Sequence, residues 1–193
     1  MAYMCSSLPN LLTWGRIFLI PMLICVFYIP DLVLPSSEKN LTAAFIFTLA
    51  AITDWLDGFL ARKFNQTTRF GAFLDPVADK LMVTTALVIL VWLDRVGIFV
   101  AAIIIGRELA ISALREWMAL IGESRGVAVS FVGKLKTAAQ MVSIILLFLY
   151  EPIYFVPTYE LGTLLVYVAV VLTVWSMFYY IKRASSILAA NSK

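Results

Sequence analysis

Four aspartates lie in a part of the sequence that is otherwise strongly apolar. Asp54 and Asp57 fall within or beside the second hydrophobic segment, and Asp75 and Asp79 fall within or beside the third. A charged aspartate at the centre of a membrane helix costs about 2.5–3.5 kcal/mol. Because four carboxylates also repel one another, the arrangement requires a compensating positive charge.

The four aspartates form two helical stripes together with small residues. The first stripe has the spacing i, i+3, i+4, i+7 and the second advances twice by four residues, as side chains on one helix face do. A short loop joins the two segments, so we expect antiparallel neighbours whose stripes face each other. Glycine and alanine leave room for a neighbouring helix or a ligand. The stripes consist of Asp54, Asp57, Gly58 and Ala61, and of Gly71, Asp75 and Asp79.

Two explanations account for aspartates in such segments. Each one can pair with a lysine or arginine, and Arg62, Arg69 and Lys80 are near in sequence. A lone aspartate is explained equally well in this way, but four in two matched stripes favour a bound divalent cation. The chain has no histidine, and oxygen donors alone suit Mg²⁺, Mn²⁺ or Ca²⁺ rather than Zn²⁺.

The composition predicts a membrane protein. Of the 193 residues, 62% are hydrophobic and 14% are charged, and the mean hydropathy is +0.94. Soluble domains are about half apolar and about a quarter charged. One membrane domain covering residues 1–193 is the simplest organisation. A net charge of only +3 on so apolar a chain argues against nucleic-acid binding.

Six continuous apolar segments predict an all-α membrane protein with six transmembrane helices. Each segment is near the length that spans a bilayer, where a helix satisfies its own backbone hydrogen bonds. The segments are Leu11–Ile29, Leu41–Leu60, Ala72–Leu93, Ile98–Leu120, Phe131–Tyr150 and Leu161–Ile181.

Basic residues predict the orientation of these segments. Eleven lysines and arginines fall in one alternate set of ends and connections, and only Lys39 and Arg95 fall in the other. Connections rich in lysine and arginine stay in the cytoplasm. Both termini and the aspartate end of the molecule are therefore predicted to be cytoplasmic.

The aspartate stripes carry a family pattern. The sequence reads D-x-x-D-G-x-x-A-R from Asp54 to Arg62 and, after a gap of eight residues, G-x-x-x-D-x-x-x-D from Gly71 to Asp79. This resembles the signature of the CDP-alcohol phosphotransferases, and all eight defining positions are filled. The six predicted spans also resemble the membrane domain of that family.

The resemblance implies a reaction and a role for each signature residue. Members of the family displace CMP from a CDP-linked lipid by attack of an alcohol on the phosphorus nearest the lipid. By position, the four aspartates would hold one or two Mg²⁺ or Mn²⁺ ions on the pyrophosphate, and Asp79 would also be the general base. Gly58, Ala61 and Gly71 would line the cytidine pocket of the CDP-lipid. Arg62 would support its nucleotide end.

A second group of charged residues bears on the acceptor alcohol. Arg107 and Arg115 lie in the fourth segment, and Lys134 and Lys136 open the fifth. Together they predict a site for a phosphate on the acceptor, because arginine offers a fork to phosphate oxygens and lysine a point charge. Alternatively, Arg107 pairs with a carboxylate of the site or is offset by Glu108, and the others anchor the chain at the cytoplasmic surface.

The flanking stretches indicate which alcohol is used. Pro9–Arg16 and Arg107–Trp117 are most similar to bacterial family members that transfer a phosphatidyl group from CDP-diacylglycerol to glycerol 3-phosphate. The resemblance thus implies synthesis of phosphatidylglycerol phosphate among the lipids of the bacterial inner membrane, by a homodimer whose active site faces the cytoplasm.

Other functions are weighed against this one. Within the family, the acceptor could be serine or inositol phosphate. Outside it, a divalent-cation transporter would use the same carboxylates, but transporter sites lie near the bilayer midplane, often between repeated halves. The aspartates lie toward one end and the sequence shows no repeat. A non-catalytic scaffold would leave the four aspartates unexplained.

Overall fold

A computed structural model describes residues 8–64, 69–120 and 131–191 of the chain. Within these ranges the fold consists of six α-helices, which confirms the predicted all-α class and the number of helices. The helices are α1 (Leu8–Tyr28), α2 (Ser36–Phe64), α3 (Arg69–Trp92), α4 (Ile98–Leu120), α5 (Phe131–Leu149) and α6 (Thr158–Asn191).

Several helices are longer than the apolar segments that predicted them. The bounds of α4 match the prediction, but α2 begins at Ser36 instead of Leu41, and α6 continues past Ile181 to Asn191. Hydropathy marks where a chain is apolar, whereas a helix continues into polar sequence until a cap or a breaker ends it. Six helices are therefore established, and six membrane crossings stay a prediction.

One helix in the described part of the chain is long and apolar enough to cross a membrane, at Thr158–Phe178. Leu12–Tyr28 and Leu135–Leu149 are apolar but shorter. In α3, Asp75, Asp79 and Lys80 fall within one and a half turns of each other and lower the hydropathy. The charged residues that are candidates for catalysis are thus the same ones that lower the mean hydropathy of α3.

The described surface exposes many large apolar side chains, and the interior, although mainly apolar, also buries charged and polar side chains. Soluble proteins seldom bury such charges. Exposed examples are Phe18, Phe45, Phe99, Trp175 and Phe178, and buried examples are Thr13, Arg16, Arg107, Lys136, Gln140, Ser143 and Ser176.

Helix α1 lies between α2 and α3. It packs along both of them, whereas α2 and α3 contact each other only briefly. We expected α2 and α3 to be direct neighbours because a short loop joins them. Among the described residues α2 and α3 do contact each other, but α1 contacts each of them more extensively, and residues of α1 connect Asp54 with Asp75.

The end of the bundle away from the aspartates is fastened by Arg95. Its Nη1 donates hydrogen bonds to the carbonyl oxygens of Leu147 (3.0 Å) and Phe148 (2.9 Å). Its Nη2 donates to Asn40 Oδ1 at 2.7 Å, and the guanidinium lies 4.3 Å from the ring centroid of Tyr150. A cation on the last carbonyls of a helix is favourable, so Arg95 ties the α3–α4 connection to the end of α5 and to α2.

A second cation at this end closes the α1–α2 connection. Lys39 is buried, and its Nζ donates to Asp31 Oδ1 at 2.6 Å. The hydrogen bond from Lys39, together with its positive charge, lowers the pKa of Asp31 below its ordinary value. The two basic residues at the end away from the aspartates, Lys39 and Arg95, thus both have structural partners.

Helices α5 and α6 make the closest pair, and Gly162 allows their approach. Ser143 Oγ donates to the Gly162 carbonyl oxygen at 2.7 Å. A Cβ added to Gly162 would lie 2.9 Å from Leu147 Cγ and 3.2 Å from Leu146 Cβ, and Leu147 is fully buried. The contact between α5 and α6 therefore leaves no room for a methyl group at position 162.

We expect Gly162→Ala to destabilise the protein by about 1–3 kcal/mol, because overpacking a filled contact forces backbone or rotamer shifts. The matched control is Gly106→Ala, a helical position where an added Cβ meets nothing within 4 Å. That change should be neutral or slightly stabilising. Thermal unfolding of the detergent-purified variants measures both, and equal stability of the two variants would contradict the packing account.

Candidate active site

A cavity of about 290 Å³ lies between α3, α4 and α5. Asp79 and Lys80 line it from α3, and Glu108 lines it from α4. We call it the basic cavity, because three further cations line it in addition to Lys80. Those three are Arg107 and Arg115 from α4 and Lys136 from α5.

The structure brings three of the four predicted phosphate-binding residues together. Arg107, Arg115 and Lys136 are separated by up to 29 positions in sequence and share this cavity. The side chain of Lys134 lies outside the described residues. Grouped arginine and lysine side chains suit an anion with several oxygens, such as a phosphate monoester.

Two of these cations are held in place by neighbouring helices. Arg107 Nη2 donates to Ser176 Oγ of α6 at 2.8 Å, and Ser176 Oγ in turn donates to the Thr173 carbonyl oxygen at 3.0 Å. Lys136 is 2% exposed, and its Nζ lies 3.5 Å from Glu108 Oε1. The sequence predicts a phosphate or a carboxylate as the partner of Arg107 and does not predict this contact with a serine hydroxyl.

Helix α1 contacts two of the predicted metal ligands. Arg16 Nη1 lies 2.7 Å from Asp54 Oδ1, with the arginine 1% and the aspartate 44% exposed. Thr13 Oγ1 donates to Asp75 Oδ1 at 2.5 Å. Residues 13 and 16 are one helical turn apart, so one face of α1 reaches both aspartate-bearing helices.

The sequence assigned no individual role in the site to Thr13 or Arg16. Arg16 is one of the eleven basic residues that orient the chain in a membrane, and both residues lie in the stretch Pro9–Arg16 that resembles bacterial family members. A signal was present, because an arginine within an apolar helix is costly unless it has a polar or anionic partner. The sequence did not show which residue of another helix is that partner.

Asp79 stands between these two groups of charges. It lines the basic cavity and also a gap of about 10 Å³, the size of one water molecule, together with Arg16. The charges that act on it include the carboxylates of Asp54 and Glu108 and the cations of Arg16 and Lys80. Asp79 is therefore the residue where the aspartate stripes meet the basic cavity.

The other signature residues are only partly described. Asp57, Gly58, Ala61 and Arg62 lie in the last turns of α2, and their side chains are outside the described residues. Gly71 is buried near the start of α3.

A metal site therefore stays a prediction. Among the side chains that the structure describes, no three histidine, cysteine, aspartate or glutamate residues are grouped closely enough to hold a metal ion. The predicted donor set needs Asp57 beside Asp54, Asp75 and Asp79. Four carboxylates without histidine or cysteine fit a hard divalent cation.

A helical bundle that joins these aspartates to a cavity lined by arginine and lysine is suited to binding phosphate esters. Residues 6–175 match the family model described as CDP-alcohol phosphatidyltransferase, and the chain belongs to this family. The family resemblance drawn from the signature is thereby confirmed.

The names of curated relatives are more specific than the description of the family. The chain is 50% identical to a protein of Pectobacterium atrosepticum and 49% identical to one of Escherichia coli K12. Each alignment covers 92% of this chain and 94% of the relative. Both relatives are named CDP-diacylglycerol–glycerol-3-phosphate 3-phosphatidyltransferase. A protein of Salmonella choleraesuis with the same name is 50% identical over the same shares.

The Arg16–Asp54 contact predicts energetic coupling between α1 and α2. Arg16→Leu and Asp54→Asn should each destabilise the protein, and the double variant should lose about 1–2 kcal/mol less than the sum, because the second change removes a charge already without its partner. Asp54 is nearly half exposed, which keeps the value below that of a fully buried pair.

The control combines Arg16→Leu with Asp31→Asn, a carboxylate beyond the far end of α1. These two changes should be additive. Denaturant unfolding of the detergent-purified variants measures both cycles, and additivity of Arg16→Leu with Asp54→Asn would show that the ion pair contributes nothing.

Proposed function

We propose that this protein transfers a phosphatidyl group from CDP-diacylglycerol to sn-glycerol 3-phosphate, giving phosphatidylglycerol phosphate and CMP. The observation that carries the proposal is the basic cavity, in which Asp79 and three phosphate-binding candidates share one wall. The names and high identity of the relatives support the same substrates.

The reaction joins a hydroxyl of the acceptor to the phosphorus nearest the lipid, and the bond from that phosphorus to the CMP oxygen breaks. Phosphoryl transfer depends mainly on positioning and on neutralising charge. Asp54, Asp57, Asp75 and Asp79 would hold one or two Mg²⁺ or Mn²⁺ ions, and such ions would supply charge neutralisation for the pyrophosphate and for the departing CMP.

Asp79 takes the proton of the attacking hydroxyl. An aspartate has an ordinary pKa near 4, far below that of an alcohol. A base this weak helps only when the hydroxyl proton becomes acidic as the new bond forms. Its place between the aspartate stripes and the basic cavity puts it where the donor and the acceptor have to meet.

The basic cavity selects an acceptor that carries its own phosphate. Arg107, Arg115 and Lys136 attract a phosphate monoester, which glycerol 3-phosphate has and serine, choline and ethanolamine lack. Inositol phosphate also carries one, so it remains the relevant competitor within the family. The transporter and scaffold alternatives are not favoured, because the relatives are named as transferases.

We further propose a bacterial inner-membrane protein with six spans and with both termini and the active site on the cytoplasmic side. The distribution of lysine and arginine supports this orientation, and the exposed apolar surface supports contact with lipid. The diacyl tails of the donor stay in the bilayer while its CDP group reaches the aspartates from the side. A homodimer follows from the family resemblance alone.

A panel of acceptors tests the function directly. Purified protein with CDP-diacylglycerol should release CMP fastest with sn-glycerol 3-phosphate, more slowly with inositol 1-phosphate, and least with serine. EDTA should abolish CMP release, and excess Mg²⁺ or Mn²⁺ should restore it. Faster turnover with serine or inositol 1-phosphate would show that one of these, and not glycerol 3-phosphate, is the acceptor. Undiminished turnover in EDTA would show that the reaction needs no divalent metal ion.

Asp79→Asn tests the role of the base. We expect turnover to fall by at least about a hundredfold, the lower range for general base catalysis, while binding of CDP-diacylglycerol stays measurable by equilibrium dialysis. Asp94→Asn is the control, because Asp94 is exposed in the α3–α4 connection and has a positive φ of 55° that asparagine tolerates. Near-normal turnover of Asp79→Asn would exclude it as the base.

A further inference from the structure

Glu108 is one of two carboxylates, with Asp79, in a cavity whose other charged side chains suit an anion. It lines the basic cavity beside Arg115 and Lys136 and is partly exposed. A negative charge here repels a phosphate-bearing acceptor. Apart from its contact with Lys136, Glu108 has no task in the reaction proposed above.

Pairing with Lys136 accounts for only part of what Glu108 can do. The distance from Lys136 Nζ to Glu108 Oε1 is 3.5 Å, longer than the roughly 2.7–2.9 Å of a direct charge-assisted hydrogen bond. A carboxylate has about four lone-pair positions across its two oxygens. One loose contact leaves it capacity to accept a hydrogen bond from a ligand.

Glu108 is near both residues that the acceptor has to reach. It lies 3.5 Å from Lys136, and it lines the same cavity as Asp79, on which its charge acts. Glu108 therefore borders the cavity that the residue proposed to receive the hydroxyl proton shares with a residue proposed to bind the acceptor phosphate.

The acceptor has a matching group at that place. In glycerol 3-phosphate the phosphate is on C3, the attacking hydroxyl is on C1, and a hydroxyl that does not react is on C2. When the phosphate lies against Arg115 and Lys136 and the C1 hydroxyl lies at Asp79, the C2 hydroxyl falls between them.

We propose that Glu108 is a specificity-determining residue that accepts a hydrogen bond from the C2 hydroxyl of the acceptor. This inference rests on the proposed function, since it assumes a glycerol phosphate acceptor. The third contact also fixes handedness, because two contacts alone cannot distinguish sn-glycerol 3-phosphate from its mirror image, sn-glycerol 1-phosphate.

The test compares kcat/KM between acceptors rather than the rate with a single acceptor. CMP release gives kcat/KM for sn-glycerol 3-phosphate, for sn-glycerol 1-phosphate and for 3-hydroxypropyl phosphate, which lacks the C2 hydroxyl. The natural sequence should prefer sn-glycerol 3-phosphate over 3-hydroxypropyl phosphate by about 10–100-fold, the range for one hydrogen bond to a charged group. It should also prefer it over the mirror image.

Glu108→Met keeps the length of the side chain and removes its acceptor oxygens. In this variant both preferences should fall to within about threefold of unity. Glu108→Gln retains one acceptor oxygen without the charge and should show an intermediate preference. Glu116→Met is the control, because Glu116 is exposed on the same helix and should leave both preferences unchanged.

A merely structural role for Glu108 gives a different result. If Glu108 only supports Lys136, both variants lose activity with all three acceptors by the same factor and the preferences stay as they were, which overturns the inference. If Glu108→Met does not give folded protein by gel filtration, the intermediate preference of Glu108→Gln decides.

The proposed function and this inference fail in different ways. Use of sn-glycerol 3-phosphate and 3-hydroxypropyl phosphate at equal rates by the natural sequence overturns the role of Glu108 and leaves the function standing. No CMP release with either of them, but release with serine or inositol 1-phosphate, overturns both.

Discussion

The cost of placing charge inside an apolar helical bundle governs the arrangement of this site. A buried ion is tolerated only with a partner of opposite charge or with hydrogen bonds. Arg16 meets Asp54, Lys136 approaches Glu108, and Arg107 donates to Ser176. Each contact joins two different helices, so the charges needed for chemistry also fix how the helices stand relative to one another.

These contacts divide the site into two halves. In one half, α1 holds Asp54 of α2 and Asp75 of α3 through two residues one turn apart. In the other half, α4 and α5 supply the basic cavity, and α6 supports it through Ser176. Asp79 belongs to both halves. In the proposed reaction, separate sets of helices thus bind the donor lipid and the acceptor alcohol, and the two substrates meet at Asp79.

The sequence predicts features within one helix better than contacts between helices. Helical spacing correctly placed Asp54 and Asp57 on one helix and Asp75 and Asp79 on the next, because spacing reports which residues share a face. Apolar run length found all six helices of the described chain and the exact bounds of α4. Both signals are local, within one helix.

Contacts between helices were beyond such reasoning. Neither the insertion of α1 between α2 and α3 nor the contact of Arg107 with Ser176, 69 positions away, is written in any spacing. Arg107, Arg115 and Lys136 do line one cavity, as their charge in or beside apolar segments led us to expect, but their binding of a phosphate stays a prediction. Ser176 was missed because a serine in an apolar helix costs little and so gives no signal.

The two halves of the site separate the residues proposed to select the acceptor from most of those proposed to act on the donor. In the proposed reaction the donor-side groups lie on α1, α2 and α3, where a changed side chain disturbs the aspartates themselves. Among the described residues, those of α4 and α5 that line the basic cavity share it with Asp79. A substitution at Glu108 therefore alters the environment of Asp79, while Asp54 and Asp75 keep their contacts with α1. Under the proposed function, acceptor specificity can thus change while the donor-side contacts stay in place.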